Sequence, residues 1–351
     1  MGVDLGGTKI AAALVGADGA LRSATLRAPT PAGRGPGAVL DAVADLVERV
    51  VTASSAAPGR PGAVAAVGIG SAGVIDAERG TVLSATDAIA GWEGTDVAGG
   101  VSARLAAAGV RTPDGAAPLV HVDNDVNAHA AGEARFGAGR GRSSALVVAV
   151  GTGVGAALVL DGRIHHGAHF LAGEMGHMPC GEAQGETCTC GRPGHLEAVA
   201  AGPQIARRYR RATGDETVTG AVQVERLAEA GDAVARRVYR QAALALGRAL
   251  AGAVTVLDPE AVIVSGGLAR SGGLWWGPLR RTLRGELVDL VAERIEILPA
   301  ALGGAAPIIG AAHEARLRLA RAPGPARPGT GSDTSPGPGI DPDTRPRQEA
   351  P

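Results

Sequence analysis

The sequence predicts a two-domain α/β protein whose halves are related by duplication. Three observations carry this. The chain has 351 residues, enough for about two domains with sizeable cores. Short apolar runs ending in glycine turns alternate with stretches of helical spacing. One unit also recurs. "GVDLGGTKIAAALVGADGAL" at the start and "SALVVAVGTGVGAALVLDGRI", about 145 residues later, both read as strand, glycine–threonine turn, small-residue strand, glycine-containing turn and strand.

In chain order, "MGVDL" is a short apolar strand, "KIAAALV" a second, and "ALRSATLRA", after the "GADG" turn, a third. "VLDAVADLVERVV" has the apolar spacing of a helix. "AVAAVGIGSAG" is a buried strand running into small residues, and "LVHVDNDVNAHAAGEARFG" a strand, a polar turn and a helix starting near Asn124 or Asp125. The second unit follows. Residues 198–257 are helix-rich, "AVIVSGGLA" is a strand meeting a glycine turn, and "IIGAAHEARLRLA" is a final helix. The expected domains are residues 1–119, completed by the helix at 308–321, and residues 120–307. Residues 322–351, rich in Pro, Gly, Ser and Asp with almost nothing apolar to bury, are expected to be a disordered tail.

Composition narrows the function. The chain is 45% hydrophobic and 20% charged, with a formal net charge of -1. It has neither the basic excess of a nucleic-acid binder nor an apolar run long enough to span a membrane. Met1 leads straight into the first strand, without the charged and apolar regions of a secretory signal, so the expected compartment is the cytoplasm. Lys9 is the only lysine among 34 Lys and Arg residues, and aromatics are 2%. We read this as coding bias rather than function.

"DLGGTK" (Asp4 to Lys9) and "GTGVG" (Gly151 to Gly155) share a physical logic. Glycines in a tight turn let backbone N–H groups approach an anion and permit positive φ, and the threonines add hydroxyl donors. Asp4, ending the first strand, can hold Mg²⁺ directly or through water. Neither turn has P-loop spacing, and either alone reads more readily as a plain hairpin turn. At equivalent points of a repeat, the pair can clamp the ends of a polyphosphate. Lys9 either points at phosphate or lies on a strand surface. The glycines of "SGGLA" (Ser265 to Ala269) would let a flat adenine ring lie against backbone.

Asp123, Asn124, Asp125 and Asn127 crowd a strand-to-helix turn of the kind that faces the crevice of an α/β sheet. One of them serves as helix cap, which does not explain the other three. A carboxylate opposite bound phosphate suits the removal of a proton from an attacking hydroxyl. Spacing does not settle which aspartate does so.

"GEMGHMPCGEAQGETCTCGRPGHLE", from Gly173 to Glu197, holds all three cysteines. In a reducing compartment clustered Cys and His more often bind metal than form a disulfide, and a Cys188–Cys190 bridge would be a strained ring.

Taken in order, "DLGGTK", "DNDVNAHAAGE", "GTGVG", "GEMGH", "CTCGRPGHLE" and "SGGLA" resemble the ROK family of repressors, open reading frames and sugar kinases. The resemblance covers residues 1 to about 320 and is greatest to its bacterial ATP-dependent glucokinases. It implies an actin-like (ribonuclease H-like) two-domain sugar kinase fold that closes over its substrates, with ATP and Mg²⁺ for phosphorylation of glucose at C6. Asp125 would be the base. Asn124, Glu174, His177 and Glu197 would hold sugar hydroxyls, and Gly73 would line the pocket with backbone. Gly6, Gly7, Thr8, Thr152 and Gly153, beside Gly151 and Lys9, would meet phosphate, and Gly266 and Gly267 the adenosine. The resemblance also implies a structural Zn²⁺. The family pattern is a His followed by C-x-C-G-x-x-G-C, which here supplies His177, Cys188 and Cys190, with His195 at the third cysteine position. Cys180 is the alternative fourth ligand.

Two departures qualify the resemblance. Asp87, in "SATDAIAGW", stands where a sugar-binding Asn is expected, and an ionised Asp accepts but does not donate. The second phosphate turn continues "GVGAALV" without a further glycine run. Alternative activities are a kinase for N-acetylmannosamine, mannose or fructose, with polyphosphate as a possible donor, or a sugar-sensing repressor. The repressor would need a winged helix-turn-helix ahead of the first strand, which here begins at Met1. Family resemblance suggests a homo-oligomer, dimer or tetramer.

Overall fold

A computed structural model describes residues 1–54, 63–86 and 88–321. Asp87 and the expected tail at 322–351 lie outside the described residues.

The first sheet opens with β1 (Gly2–Leu5), β2 (Lys9–Ala13) and β3 (Leu26–Pro29). The third strand is shorter than expected. Leu21 makes only an isolated bridge to Val15, and the Ser23 hydroxyl takes the Leu14 amide that a ladder would have used. Helix α1 (Pro36–Ala53) starts on Pro36, where the missing N–H costs nothing, and buries Val39, Val43, Leu46, Val47 and Val50 along one stripe. The strand β4 (Ala66–Ser71) is buried throughout. A small hairpin, β5 (Val74–Asp76) with β6 (Thr81–Ser84), and helix α2 (Val97–Ala107) follow; neither was anticipated from sequence. Asp96 caps α2 by accepting from the Gly99 amide. Strand β7 (Leu119–Asn124) then runs straight into helix α3 (Asp125–Phe136).

The second half repeats the plan with β8 (Ala145–Val150), β9 (Val154–Leu160) and β10 (Arg163–His165). A long loop leads to the helices α4 (Glu197–Ala200), α5 (Gly202–Thr213), α6 (Ala221–Glu229) and α7 (Ala233–Leu257). Strand β11 (Ala261–Ser265), α8 (Gly273–Gly285), α9 (Asp289–Ala292), β12 (Glu296–Pro299) and α10 (Ala306–Arg321) complete it.

Strand order in the first sheet is β3-β2-β1-β4-β7, and in the second β10-β9-β8-β11-β12. Each is an antiparallel three-strand meander whose first strand continues into two parallel strands. The internal repeat of the sequence is therefore a repeat of topology, and the fold is actin-like. Helix α10 lies on the first sheet, where a Cβ on Gly2 or Gly68 would collide with the Ile308 or Ala311 carbonyl. It also crosses α3 at Gly132 and Gly310, again with backbone against backbone. Helix α3 also packs on β8, β9 and β10, so the carboxyl end of β7, where α3 begins, lies beside the second sheet.

Candidate active site

The turn between β7 and α3 is built by its own polar side chains. Asn124 is the helix cap: its Oδ1 accepts from the amides of Val126 (2.8 Å) and Asn127 (3.2 Å). Its Nδ2 donates to the Gly73 carbonyl at 2.9 Å, which ties the turn to the loop before β5. Gly73 itself sits at φ +104, with the Ser84 carbonyl in the place of a Cβ.

Geometry separates the two aspartates. Asp123 is buried, and its Oδ1 receives the Asn124 amide (2.7 Å) and the Asn127 side-chain amide (2.9 Å). Its Oδ2 faces His166 Nε2 at 2.8 Å. Asp125, at the first position of α3, accepts from the neighbouring Val126 amide at 2.9 Å and, among the described residues, has no such partners from other segments. Desolvation, the charge of Asp4 and, more weakly, that of Glu174 push its carboxyl up to about 6. Asp4, at the carboxyl end of β1, is likewise raised by burial, against a pull downward from Lys9. Three carboxylates from three segments thus share one electrostatic neighbourhood, and a group poised near neutrality is suited to proton abstraction.

The two glycine turns are pinned by hydrogen bonds. The Thr30 hydroxyl donates to the Gly6 carbonyl at 2.6 Å, and the Thr30 amide to Thr8 O. In the second turn the Gly151 amide donates to Gly153 O, and the Gly202 amide to Gly151 O at 2.8 Å. Thr8, Lys9 and Thr152 are exposed. The expected positive φ is corrected here: Gly6, Gly7, Gly151 and Gly153 all lie outside the left-handed region. They are small for another reason. A Cβ on Gly153 would sit 2.7 Å from Glu197 Oε2, while at Gly151 the nearest atom is 3.9 Å away, leaving open space above the backbone. Gly266 does adopt a positive φ, +87, because β11 turns there against the Val150 carbonyl.

Gly151, Thr152 and Gly267 line one cavity of about 590 Å³. Its other walls were missed from sequence: Pro203 at the start of α5, Val222 on α6 and Tyr239 on α7 among them. Only topology brings these helices to the second turn. Gly6, Gly7, Thr8 and Lys9 are not among the residues lining it.

The Gly173–Glu197 stretch is a folded loop. Isolated bridges Pro179–His195 and Thr187–Pro193 give it a short ladder. Donor atoms of His177, Cys188, Cys190 and His195 lie within 4.8 Å of one another. Cys188 Sγ is 3.7 Å from His177 Nδ1, and Cys190 Sγ is 3.3 Å from His195 Nδ1. These bracket the S···N edge of about 3.6 Å that a tetrahedral zinc site requires, so the residues fit that metal. Cys180 stands outside the set, with its thiol donating to Glu182 at 3.2 Å. The other ring nitrogen of His177 is 3.7 Å from Glu174.

Glu197 joins this loop to the second glycine turn. Its Oε2 accepts from the Val154 amide at 3.0 Å, and its Oε1 accepts from the Thr189 hydroxyl. A second brace went unread in the sequence. The buried Glu186 carboxylate is gripped by Arg207, Arg208 and Arg211, three side chains of α5. Burial pushes Glu186 up, but the three guanidiniums outweigh it and hold the group below the usual carboxylate range.

No described helix is long and apolar enough to cross a membrane. A family model described as the ROK family matches residues 1–317. A protein named glucokinase from Streptomyces coelicolor is 33% identical over 332 residues, covering 90% of this chain and 97% of its own. The solved structure of a ROK hexokinase from Thermus thermophilus superimposes with a TM-score of 0.77 at 32% identity, covering 91% of this chain and 98% of its own. That of a ROK family glucokinase from Streptomyces griseus, in complex with glucose and AMPPNP, does so with a TM-score of 0.73 at 32% identity, covering 90% and 98%.

Proposed function

The chain belongs to the ROK family, and on that premise we propose that it is a sugar kinase transferring the γ-phosphoryl group of ATP to the C6 hydroxyl of glucose. The observation that carries the reading is Asp125. It heads α3 with a carboxyl raised to about 6, beside Asp4 and Glu174, while Asp123 is committed to the turn. The similarity to a glucokinase solved with glucose and AMPPNP supports the choice of substrates.

Asp125 takes the proton of the C6 hydroxyl as its oxygen attacks the γ-phosphorus. The bond from that phosphorus to the β–γ bridging oxygen breaks, and ADP leaves. Glu174, His177 and Glu197 hold other hydroxyls of the sugar, with Gly73 backbone and the unused N–H of Asn124. Asp87 is assigned to the same pocket. A sugar lacking one of these hydroxyls leaves its partner unpaired, at about 1–3 kcal/mol. Gly6, Gly7, Thr8 and Lys9 face the phosphates from one side and Gly151, Thr152 and Gly153 from the other, while Gly266 and Gly267 lie along the adenosine. Asp4 would hold the Mg²⁺ that comes with the nucleotide, whose charge offsets the phosphates. His177, Cys188, Cys190 and His195 would hold a structural Zn²⁺. The domains divide at residues 1–119 with 308–321, and 120–307, and the protein works as a dimer or tetramer.

The test is a coupled ADP-release assay over a panel of glucose, mannose, fructose and N-acetylmannosamine. ATP is the donor, and polyphosphate is run in parallel. Glucose with ATP is expected to give the highest kcat/KM. A different preferred hexose or donor overturns that half of the assignment, and no stimulated turnover with any hexose overturns the kinase.

A further inference from the structure

We propose that His129 is a positioning residue that couples the turn after β11, and with it the bound nucleotide, to the carboxylate of Asp125. The inference rests on the reading of the site as a nucleotide-dependent kinase. His129 Nε2 lies 2.7 Å from the Ser265 hydroxyl. Ser265 is the last residue of β11, is 3% exposed, and immediately precedes Gly266 and Gly267. His129 stands four residues after Asp125, one helical turn on and on the same side of α3.

The rest of α3 explains why this one contact matters. Val126, Ala130 and Ala134 pack on the second sheet beside Ala145, Val147, Ala261 and Ile263. Such apolar contacts hold the helix on the sheet without the directionality of a hydrogen bond. Farther along, the fully buried Glu133 accepts from the amides of Ala138 and Ala301, both at 2.9 Å, and of Leu302 at 2.7 Å, fixing that end of the helix. Asp125 rides on the opposite end. Between them, the His129–Ser265 hydrogen bond is, among the described residues, the directional link from α3 to the end of β11.

Burial lowers the pKa of His129, which keeps its imidazole neutral, and a neutral ring can donate to or accept from the serine hydroxyl. Ser265 is held in register opposite Ala149, one residue before Val150 and the second phosphate turn. A ligand settling against Gly266 and Gly267 therefore presses on a residue whose side chain is fastened to the helix of Asp125. A rigid α3 carries that constraint one turn to the carboxylate.

The test uses the full chain with His129→Phe, His129→Gln, Ser265→Ala and the Phe/Ala double variant. Readouts are AMPPNP affinity by calorimetry, glucose affinity without nucleotide, and the pH profile of kcat. His129→Phe and Ser265→Ala are each expected to weaken AMPPNP by about three- to tenfold and to move the acidic limb of kcat. Glucose affinity without nucleotide should stay within about twofold. His129→Gln, whose amide nitrogen reaches the position of Nε2, should restore nucleotide affinity, and the double variant should be no worse than the worse single. Single variants that lower only Tm, or a double variant whose losses multiply, overturn the coupling. Absence of AMPPNP binding to the unaltered protein instead overturns the kinase reading on which it rests.

Discussion

The Asp123 carboxylate meets His166 at 2.8 Å, joining the last strand of the first sheet to the loop that leaves β10. The other oxygen of Asp123 is fixed by the Asn124 and Asn127 amides, so the pair anchors the turn that carries Asp125. On the His166 side, its carbonyl accepts from the Ala172 amide, folding the loop toward Glu174. One side-chain contact thus spans the turn that carries Asp125 and the loop that leads to Glu174.

The pair gives stability a pH dependence. The hydrogen bond to Asp123 holds His166 above the usual histidine value, against a smaller loss from burial. A folded-state pKa above the unfolded one means that the stabilisation is full below the unfolded value of about 6.5 and is lost as pH rises through the folded value. The Tm of the unaltered protein should fall from pH 6.5 upward, and His166→Gln should remove that part of the slope. An identical slope in both proteins refutes the assignment.

Asp125→Ala should cut kcat by about a hundred- to ten-thousandfold, the range of a lost general base, with glucose affinity largely kept. In the unaltered enzyme kcat should rise with pH through about 6, where the raised carboxyl ionises, and then level. Near-normal turnover in the variant, or a pH limb near 4, returns the role to another group.

The repeat, the glycine turns and the cap at Asn124 were legible because each is local: a period, a spacing, a residue preference at one position. The His177, Cys188, Cys190 and His195 set was legible through resemblance, since composition alone favoured metal over a disulfide without naming the ligands. The pairings that hold the site together were not. Glu186 finds Arg207, Arg208 and Arg211 through the packing of a loop on α5. Glu197 finds Val154 across 43 residues. Nothing in a charged residue's neighbours in sequence names its partner in space. The positive φ expected at Gly6, Gly7, Gly151 and Gly153 failed for the opposite reason: a general property of glycine was applied where close approach, not conformation, governs.

The metal set makes Cys180 and His195 separable. The purified protein should carry one zinc per chain. His195→Ala should lose it, while Cys180→Ala should keep it, because Cys180 is turned to Glu182. Chelation should raise hydrogen exchange across residues 174–197 and weaken glucose binding, since a metal held there would fix the His177 ring beside Glu174. A metal-free preparation with full sugar affinity removes the structural role.

Glu186→Gln tests the second brace. The variant leaves Arg208, only 13% exposed in its side chain, without its counter-charge, whereas Arg207 and Arg211 can turn to water. We expect a loss of about 1–3 kcal/mol by denaturant unfolding. Because the folded pKa of Glu186 is depressed, its stabilisation is present above the unfolded value and lost as pH falls through the folded one. The difference between variant and parent should therefore shrink in acid. A gap that persists unchanged in acid speaks against the ion cluster.

Gly151 and Gly153 make the sharpest contrast, because the same substitution should act through different physics. At Gly153 a Cβ enters the space of Glu197 Oε2, the atom that receives the Val154 amide. Gly153→Ala should lower Tm, disturb the cysteine loop through Glu197, and weaken both sugar and nucleotide. At Gly151 the protein offers a Cβ no contact closer than 3.9 Å, so Gly151→Ala should leave Tm unchanged. The added methyl would project into the cavity shared with Thr152 and Gly267 and hold phosphate off the backbone amides. We expect its KM for ATP to rise at least about tenfold, the loss of one to two charge-assisted hydrogen bonds, with glucose affinity unchanged. A Gly151→Ala enzyme with unaltered KM for ATP means that the phosphates lie elsewhere.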